Sequence, residues 1–403
     1  MRSWPLEKIP NLDFRAITAI VQSITQSEFS RQNPLGFISR SPDEFSLLRW
    51  QHIGLDHENL QSVASQCNAM FHVNVPVPEI DEACGETSKR ILAQWGGGPR
   101  PITFFTSGST GEPKPCTHLE SHLRQEITSV APLVEDRTSA LVTAPMHHMY
   151  GFTFGLLLPL SLDIPIRSVP PLPTLVEAQM APGDIVVGIP LLWSQLVAMR
   201  NWQGEASEVG RDITIFTATS PTPPEVLNAM LSNSFRVIEF FGSSEVGVVC
   251  CRMSPETPFE LLPHVERGKG EDASALIRHL PDGEIRQYPV QDNITWVSER
   301  HLKPGARIDK AVQVGGTNVY PQYVASRLEE VEGVEQCIVR LMRPEEGQRL
   351  KAFVVPKLNR DINELHESLV RFARQELSDA QRPTLFSFGE DIPRGLVGKP
   401  ADW

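Results

Sequence analysis

The sequence predicts an α/β protein: a large N-terminal domain of mostly parallel sheets with flanking helices, followed by a small α+β domain. Three observations point there. From residue 101 onward, short apolar, β-branched runs each end in a polar or Gly/Pro cluster. Amphipathic segments fall between some of these runs. The last ~95 residues, a size that suits a small domain, carry their own set of strands and helices. Strand alternating with helix implies parallel pairing, and in parallel sheets ligands bind beyond the carboxyl ends of the strands.

Residues 1 to 100 carry weak signals: helical periodicity around Phe14 to Ile24 and Leu60 to Met70, then a loop at Gly96-Gly97-Gly98-Pro99. Five strand candidates follow. Pro101 to Phe105 precedes a Ser/Thr/Gly loop. Ala140 to Ala144 precedes Pro145-Met146-His147-His148. Ile185 to Val187 precedes Gly188-Ile189-Pro190, Ile213 to Phe216 precedes Thr217-Ala218-Thr219-Ser220-Pro221, and Val237 to Phe241 precedes Gly242-Ser243-Ser244-Glu245. Ser121 to Val134 reads as a helix through Leu123, Ile127 and Val130. Glu225 to Leu231 reads as another, because Pro223-Pro224 makes a good helix start. A second unit begins near Ala306. It runs through Gly315-Gly316, a helix over 322–332, strands over 336–341 and 350–355, a helix over 362–377, and a basic Gly/Pro-rich end.

The chain has 403 residues, 40% of them hydrophobic, enough for a proper core. No apolar run approaches the ~18 residues of a membrane span, and the first residues lack the apolar stretch of a secretion signal. Cys67, Cys84, Cys116, Cys250, Cys251 and Cys337 show neither ligand nor disulfide spacing, which suits a reduced, cytoplasmic protein. A net charge of −12 argues against nucleic acid as a partner.

The densest chemistry lies in Thr106-Ser107-Gly108-Ser109-Thr110-Gly111-Glu112-Pro113-Lys114. Glycine lets the backbone approach a ligand and turn N–H groups toward it. Hydroxyls add donors, and Lys114 adds a point charge. A polyphosphate needs such a set. The spacing is not that of a Walker A loop, and the plainer alternative is a polar Ser/Gly linker. His118, His122 and Glu126 stand at i, i+4 and i+8. That spacing would suit a metal on a helix, but no companion motif accompanies it, so a solvated or capping face is the expectation.

Taken in order, these stretches closely resemble the signature motifs of the adenylate-forming superfamily. That superfamily comprises acyl- and aryl-CoA ligases, peptide-synthetase adenylation domains and luciferases. The resemblance covers about residues 100 to 403, and the chain resembles short stand-alone members of the 4-coumarate and hydroxybenzoate ligase type. It implies an adenylation domain over 1–306 and a small mobile domain over 307–403. Thr106 to Gly111 and Lys114 would then hold the β- and γ-phosphates of ATP. Ala218, Thr219, Ser220 and Pro221 would lie along adenine, next to Phe241, Gly242, Ser243 and Ser244 in place of the family's Tyr-Gly-x-Thr. Glu245, with Thr106, would hold Mg²⁺; a solvated strand-end glutamate is the alternative. His148 would line or gate the acyl pocket, whose further candidate walls are His147, Phe152, Trp193, Gly242 and Val246; a packed histidine pair is the alternative. Asp292 stands fifteen residues before Arg307, near the family's ribose-binding aspartate but without its Thr-Gly context. Arg307 would contact ribose or a phosphate, Asp309 would be the hinge, and Gly315 and Gly316 would flank a thiol channel. Lys399, in Pro393-Arg394-Gly395-Leu396-Val397-Gly398-Lys399, would be the catalytic lysine.

The activity implied is an ATP- and Mg²⁺-dependent acid–thiol ligase. It would adenylate an aromatic or similar small carboxylic acid and transfer the acyl group to the phosphopantetheine thiol of CoA or an acyl carrier protein. Some features depart from the family. Only about 100 residues precede the phosphate loop, which implies a reduced N-terminal subdomain. Gln313 replaces a common lysine, and Pro400 follows Gly398-Lys399. These departures motivate two rivals: an adenylate-former with an amine or oxygen acceptor, and a nucleotide- or acyl-binding protein without turnover.

Overall fold

The computed structural model describes residues 3–33, 36–38, 40–107, 113–200, 212–269, 275–343, 346–358 and 360–393. The chain divides into two compact units. One comprises Met1–Phe105, Pro115–Val290 and Ile294–Gly305; the other comprises Thr106–Lys114, Gln291–Asn293 and Ala306–Trp403.

The larger unit opens with four helices, α1 (Phe14–Gln32), α2 (Pro42–Leu47), α3 (His57–Phe71) and α4 (Cys84–Trp95). Asp13 and Asp56 cap α1 and α3, each carboxylate accepting a first-turn N–H, from Ala16 and Asn59 respectively. Helix α1 buries Ile17, Ile20, Val21 and Ile24, one stripe at helical spacing. Strands β1 (Pro101–Ser107) and β2 (Pro113–Leu119) follow and form a ribbon of two. The run at 101–105 is therefore a strand, but it does not join the main sheet as its place in the rhythm suggested.

Next come α5 (Glu120–Val130), β3 (Ser139–Val142), a π-helical stretch at Gly151–Leu157, α6 (Leu158–Leu162), β4 (Ile166–Ser168) and α7 (Pro173–Gln179). They are followed by β5 (Asp184–Gly188), α8 (Pro190–Arg200), β6 (Thr214–Thr217), α9 (Pro224–Ser232) and β7 (Arg236–Ser243). Then come β8 (Gly247–Arg252), β9 (Phe259–Leu261), β10 (Val265–Arg267), β11 (Ala275–His279), β12 (Ile285–Pro289), β13 (Asp292–Trp296) and β14 (His301–Arg307). The main sheet has nine strands in the order β13-β14-β9-β8-β7-β6-β5-β3-β4. Pairing is parallel from β4 through β7 and antiparallel at β7–β8, β8–β9 and β9–β14. Strands β10, β11 and β12 form a separate antiparallel sheet.

Alternation along the parallel strands gives the sheet two apolar faces. Ala140, Val142, Ile185, Val187, Phe216 and Ile238 join the core shared with α1, α3 and α5. Leu141, Val186, Ile215 and Val237 point the other way, toward Trp193, Leu196 and Val226 of α8 and α9. Trp193, expected among the walls of an acyl pocket, is wholly buried in this second core. Phe152 is wholly buried in the first, edge-on to Phe104 at 5.3 Å.

The smaller unit holds the hairpin β15 (Val312–Val314) and β16 (Thr317–Val319), then α10 (Pro321–Glu329), β17 (Val334–Leu341), β18 (Leu350–Pro356), α11 (Ile362–Glu376) and β19 (Pro383–Phe388). Strand β18 pairs antiparallel with β17 and parallel with β19. The parallel β19 lies where the sequence suggested only a Gly/Pro-rich end. Leu328, Val354, Leu365 and Leu369 pack the two helices against this sheet. No described helix is long and apolar enough to cross a membrane.

Trp193→Ala should leave a large cavity under β5 and lower stability by about 3–5 kcal/mol. Urea unfolding at neutral pH would read the change.

Candidate active site

Strands β3, β5, β6 and β7 run in register, Val142 beside Val187, Gly188 beside Thr217 and Thr217 beside Glu239. Their carboxyl ends therefore share one edge. There the chain leaves the ladder into the segments at 145–148, 189–190, 217–222 and 241–246. His148, the Ala218–Pro221 stretch and the Phe241–Glu245 stretch all lie at this edge.

The turn after β6 is held by buried charge. Glu239, 3% exposed, accepts the Thr222 N–H at 2.8 Å with one carboxylate oxygen and the Arg252 Nε–H at 2.7 Å with the other. Arg252 in turn lies over the Phe259 ring at 4.5 Å. The hydroxyls of Thr217 and Thr222 hydrogen-bond at 3.0 Å. So braced, the turn keeps Thr219 at φ +78°, a left-handed conformation uncommon for a side-chain-bearing residue. Just beneath, Phe154, Phe216 and Phe240 form a three-ring cluster, with Phe154 and Phe240 stacked at 4.2 Å.

Strand β7 ends in a bulge at Phe241/Gly242 and turns back into β8. A Cβ on Gly242 would stand 2.1 Å from the Gly247 carbonyl oxygen, so only glycine fits this crossing. Glu245 lies on the turn and is half-buried. Beneath the turn the structure corrects an expectation. His118, His122 and Glu126 are buried, at 5%, 2% and 0% exposure, not solvated. His118 belongs to β2 and not to the helix. Its Nε2 stands 2.6 Å from the Ser244 carbonyl oxygen, which can only accept, so Nε2 carries the hydrogen. Burial pushes this imidazole down to about 4, so it is neutral at physiological pH. Glu126 pairs with Arg278 at 2.9 Å, both wholly out of water. The sequence signal for this cluster was present in the three residues; burial could not be read from their spacing.

His147 and His148 stack obliquely, centroids 4.4 Å apart. Ser23 of α1 hydrogen-bonds His147 Nδ1 at 2.9 Å and accepts the Met146 N–H at 2.8 Å, so an N-terminal helix fixes this loop. Burial lowers the pKa of His147 well below the ordinary imidazole value. His148 retains an exposed face, and desolvation of its ring still draws its pKa down. Tyr150 donates its hydroxyl to the Gly188 carbonyl at 2.9 Å, tying this segment to the end of β5.

In the smaller unit Thr106 donates its hydroxyl to the Lys114 carbonyl at 3.4 Å across the mouth of the β1–β2 ribbon. Gly108, Ser109, Thr110, Gly111 and Lys399 lie outside the described residues. Arg307 forks onto Asp309, Nε to Oδ1 at 2.8 Å and Nη2 to Oδ2 at 2.6 Å. Tyr320 and the Ala311 N–H donate to the same carboxylate at 3.0 and 3.1 Å. The Arg307 guanidinium beside Asp309, with these further donors, holds its carboxyl down at about 2. Asp292 lies half-buried in β13. Gly315 and Gly316 form the two-residue tip of the β15–β16 hairpin, at φ +56° and +83°. Two positive φ values in succession are what such a tight hairpin requires.

Among the described residues no three His, Cys, Asp or Glu side chains could together hold a metal ion. A hard cation such as Mg²⁺ needs no such cage. It is commonly bound by one or two carboxylates together with substrate phosphates, and the carboxylate of Glu245 is of that chemistry.

Two family descriptions match the chain: AMP-binding enzyme over residues 102–270, and AMP-binding enzyme C-terminal domain over residues 323–399. The chain is 32% identical to a 4-coumarate–CoA ligase of Halorhodospira halophila over 300 residues, 74% of each protein. It is 26% identical to a 3,4-dihydroxybenzoate–[aryl-carrier protein] ligase of Bacillus anthracis, over 73% of this chain and 71% of the relative. Among solved structures it resembles an amide bond synthetase of Marinactinospora thermotolerans. The TM-score is 0.59 at 16% identity, covering 94% of this chain and 92% of that one, a likeness of fold.

The Asp309 knot has a pH signature. Its folded pKa lies below the ~3.9 of an unfolded aspartate, so its contribution is present above pH ~4 and fades as the pH falls toward 2. Asp309→Asn should be less stable than the parent at pH 7, with the difference closing through that window. Urea unfolding of the full chain at a series of pH values would measure it.

Proposed function

The chain belongs to the AMP-binding enzyme family of adenylate-forming ligases, and from that premise we propose a two-step acid–thiol ligation. In the first step an oxygen of an aryl carboxylate attacks the α-phosphorus of ATP. The new P–O bond gives an acyl adenylate, and pyrophosphate leaves with the electrons of the broken anhydride. In the second, the sulfur of a phosphopantetheine thiol, on CoA or an acyl carrier protein, attacks the acyl carbon, and AMP leaves.

One observation carries this reading: the gathering of His148, Ala218–Pro221 and Phe241–Glu245 at one carboxyl edge of a parallel sheet, where nucleotide sites form. In our reading the 217–222 turn lies along adenine and the Thr106–Lys114 loop binds the β- and γ-phosphates. Asp292 and Arg307 serve the ribose. Glu245 and Thr106 hold Mg²⁺, which when bound offsets the charge of the phosphates. Lys399 stabilises the charge that spreads over the α-phosphate as the bond changes. Asp309 is the hinge, and Gly315 and Gly316 flank the path of the thiol. We favour an aryl acid over a long chain on the mix of aromatic and small residues at this edge, His147, His148, Gly242 and Val246. The two ligases similar in sequence also act on aromatic acids by name. Six buried thiols, with Cys67 pushed up to about 12 by burial, suit a cytoplasmic setting.

Carboxylate-dependent ATP–pyrophosphate exchange tests the first step. Across benzoic, cinnamic, short-chain and long-chain acids, exchange should be confined to the aromatic group. Lys399→Ala should lower it by about 10²–10³-fold, the scale of losing one transition-state donor, while ATP still binds. Exchange that is absent with every acid, or indifferent to Lys399, would defeat the proposal.

A further inference from the structure

Two peptide carbonyls flank Glu245, those of Ser244 and Val246, and each is gripped by a buried side chain. His118 donates to the first at 2.6 Å, and the Arg278 guanidinium donates to the second. The same amino group, Nη1, also meets Glu126 at 2.9 Å, and the other, Nη2, meets the His122 carbonyl at 2.5 Å, so the guanidinium bridges helix α5 and the turn. The next residue, Gly247, sits at φ +89°, and a Cβ there would stand 1.9 Å from a Glu126 carboxylate oxygen. The turn is thus closed down onto the ion pair with no room for a side chain.

We propose that His118 and the Glu126–Arg278 pair are positioning residues for Glu245, and that through it they set the affinity of the nucleotide site for its divalent cation. The inference rests on the reading of Glu245 as the metal-holding carboxylate. Its physical basis is that a neutral imidazole donor and a guanidinium fix the backbone on both sides of one residue. Glu245 is thereby carried on backbone held from both sides. Loss of a group that orients a metal's ligand typically costs about 10–100-fold in metal affinity. Side chains that served the core alone would have no reason to reach these two carbonyls, His118 the Ser244 oxygen and Arg278 the Val246 oxygen.

The test is equilibrium ATP binding to the full-length protein, with saturating Mg²⁺ and again with EDTA. The ratio of the two dissociation constants isolates the cation's contribution. His118→Leu should shrink that ratio by about tenfold while the EDTA value stays put. His118→Gln, whose amide nitrogen reaches the same carbonyl, should restore it. If the leucine variant does not fold, Arg278→Lys serves, since an ammonium keeps the charge beside Glu126 but cannot fork to the His122 and Val246 carbonyls; the ratio should again fall. In the Glu245→Gln background, where the ratio is already small, His118→Leu should cost nothing more. A normal ratio in folded His118→Leu and Arg278→Lys, alongside a lost ratio in Glu245→Gln, would overturn the positioning role and leave the functional reading intact. A normal ratio in Glu245→Gln would overturn the metal role itself and this inference with it.

Discussion

Arg278 is a guanidinium sealed from water, and the architecture of the candidate site depends on satisfying it. An uncompensated buried charge is destabilising by several kcal/mol, so its fork must be filled. Its two terminal amino groups are met by the Glu126 carboxylate and the carbonyls of His122 and Val246, while its Nε–H finds no partner among the described residues. Those partners come from a helix that follows the β1–β2 ribbon and from the turn that follows β7. Meeting the demands of one side chain therefore fixes two distant stretches of chain against each other, and Gly247 is the residue that lets them approach.

The same solution appears one strand over. Glu239 is buried, takes the Arg252 guanidinium on one oxygen and a backbone N–H of the β6 turn on the other. A parallel sheet presents unpaired backbone groups wherever its strands stop, and those groups must be met by something. Here buried ions at the roots of β6 and β7 meet them. Water-exposed donors would leave the turns free to move, whereas charged groups in a low-dielectric setting hold them strongly. A nucleotide reading of this edge gains from that rigidity, since adenylation is chiefly a matter of placing two anions together.

The smaller unit uses charge differently. The Asp309 carboxylate accepts from Arg307, Ala311 and Tyr320 within a stretch that also places Lys310 at φ +59°. These are local bonds between near neighbours, partly exposed. Such a knot shapes a bend and is cheaper to undo than a sealed ion pair. The hinge role proposed for Asp309 would need that property, and the glycine hairpin nearby supplies its tight reversal without strain.

Much of this was legible in the sequence. The strand runs at 140, 185, 213 and 237 each exist, since apolar alternation bounded by turn residues is a local property that survives in the fold. The residues gathered at the carboxyl edge were named from motif and order alone. The ribbon partner of 101–105, the added strand at 383–388 and the burial of Trp193 in the second core were not legible, because pairing and facing are decided by contacts far apart in the chain. Histidines and a glutamate at helical spacing looked like a wet surface. Only tertiary structure decided that 152 residues later an arginine would arrive to pair with Glu126. A charge can be buried only when its partner is in place, and sequence spacing says nothing about which partner folding brings. The sequence determined which chemical groups this protein carries and the order in which its strands present them. The tertiary structure decided which charges leave water, and with that how firmly the turn bearing Glu245 is held.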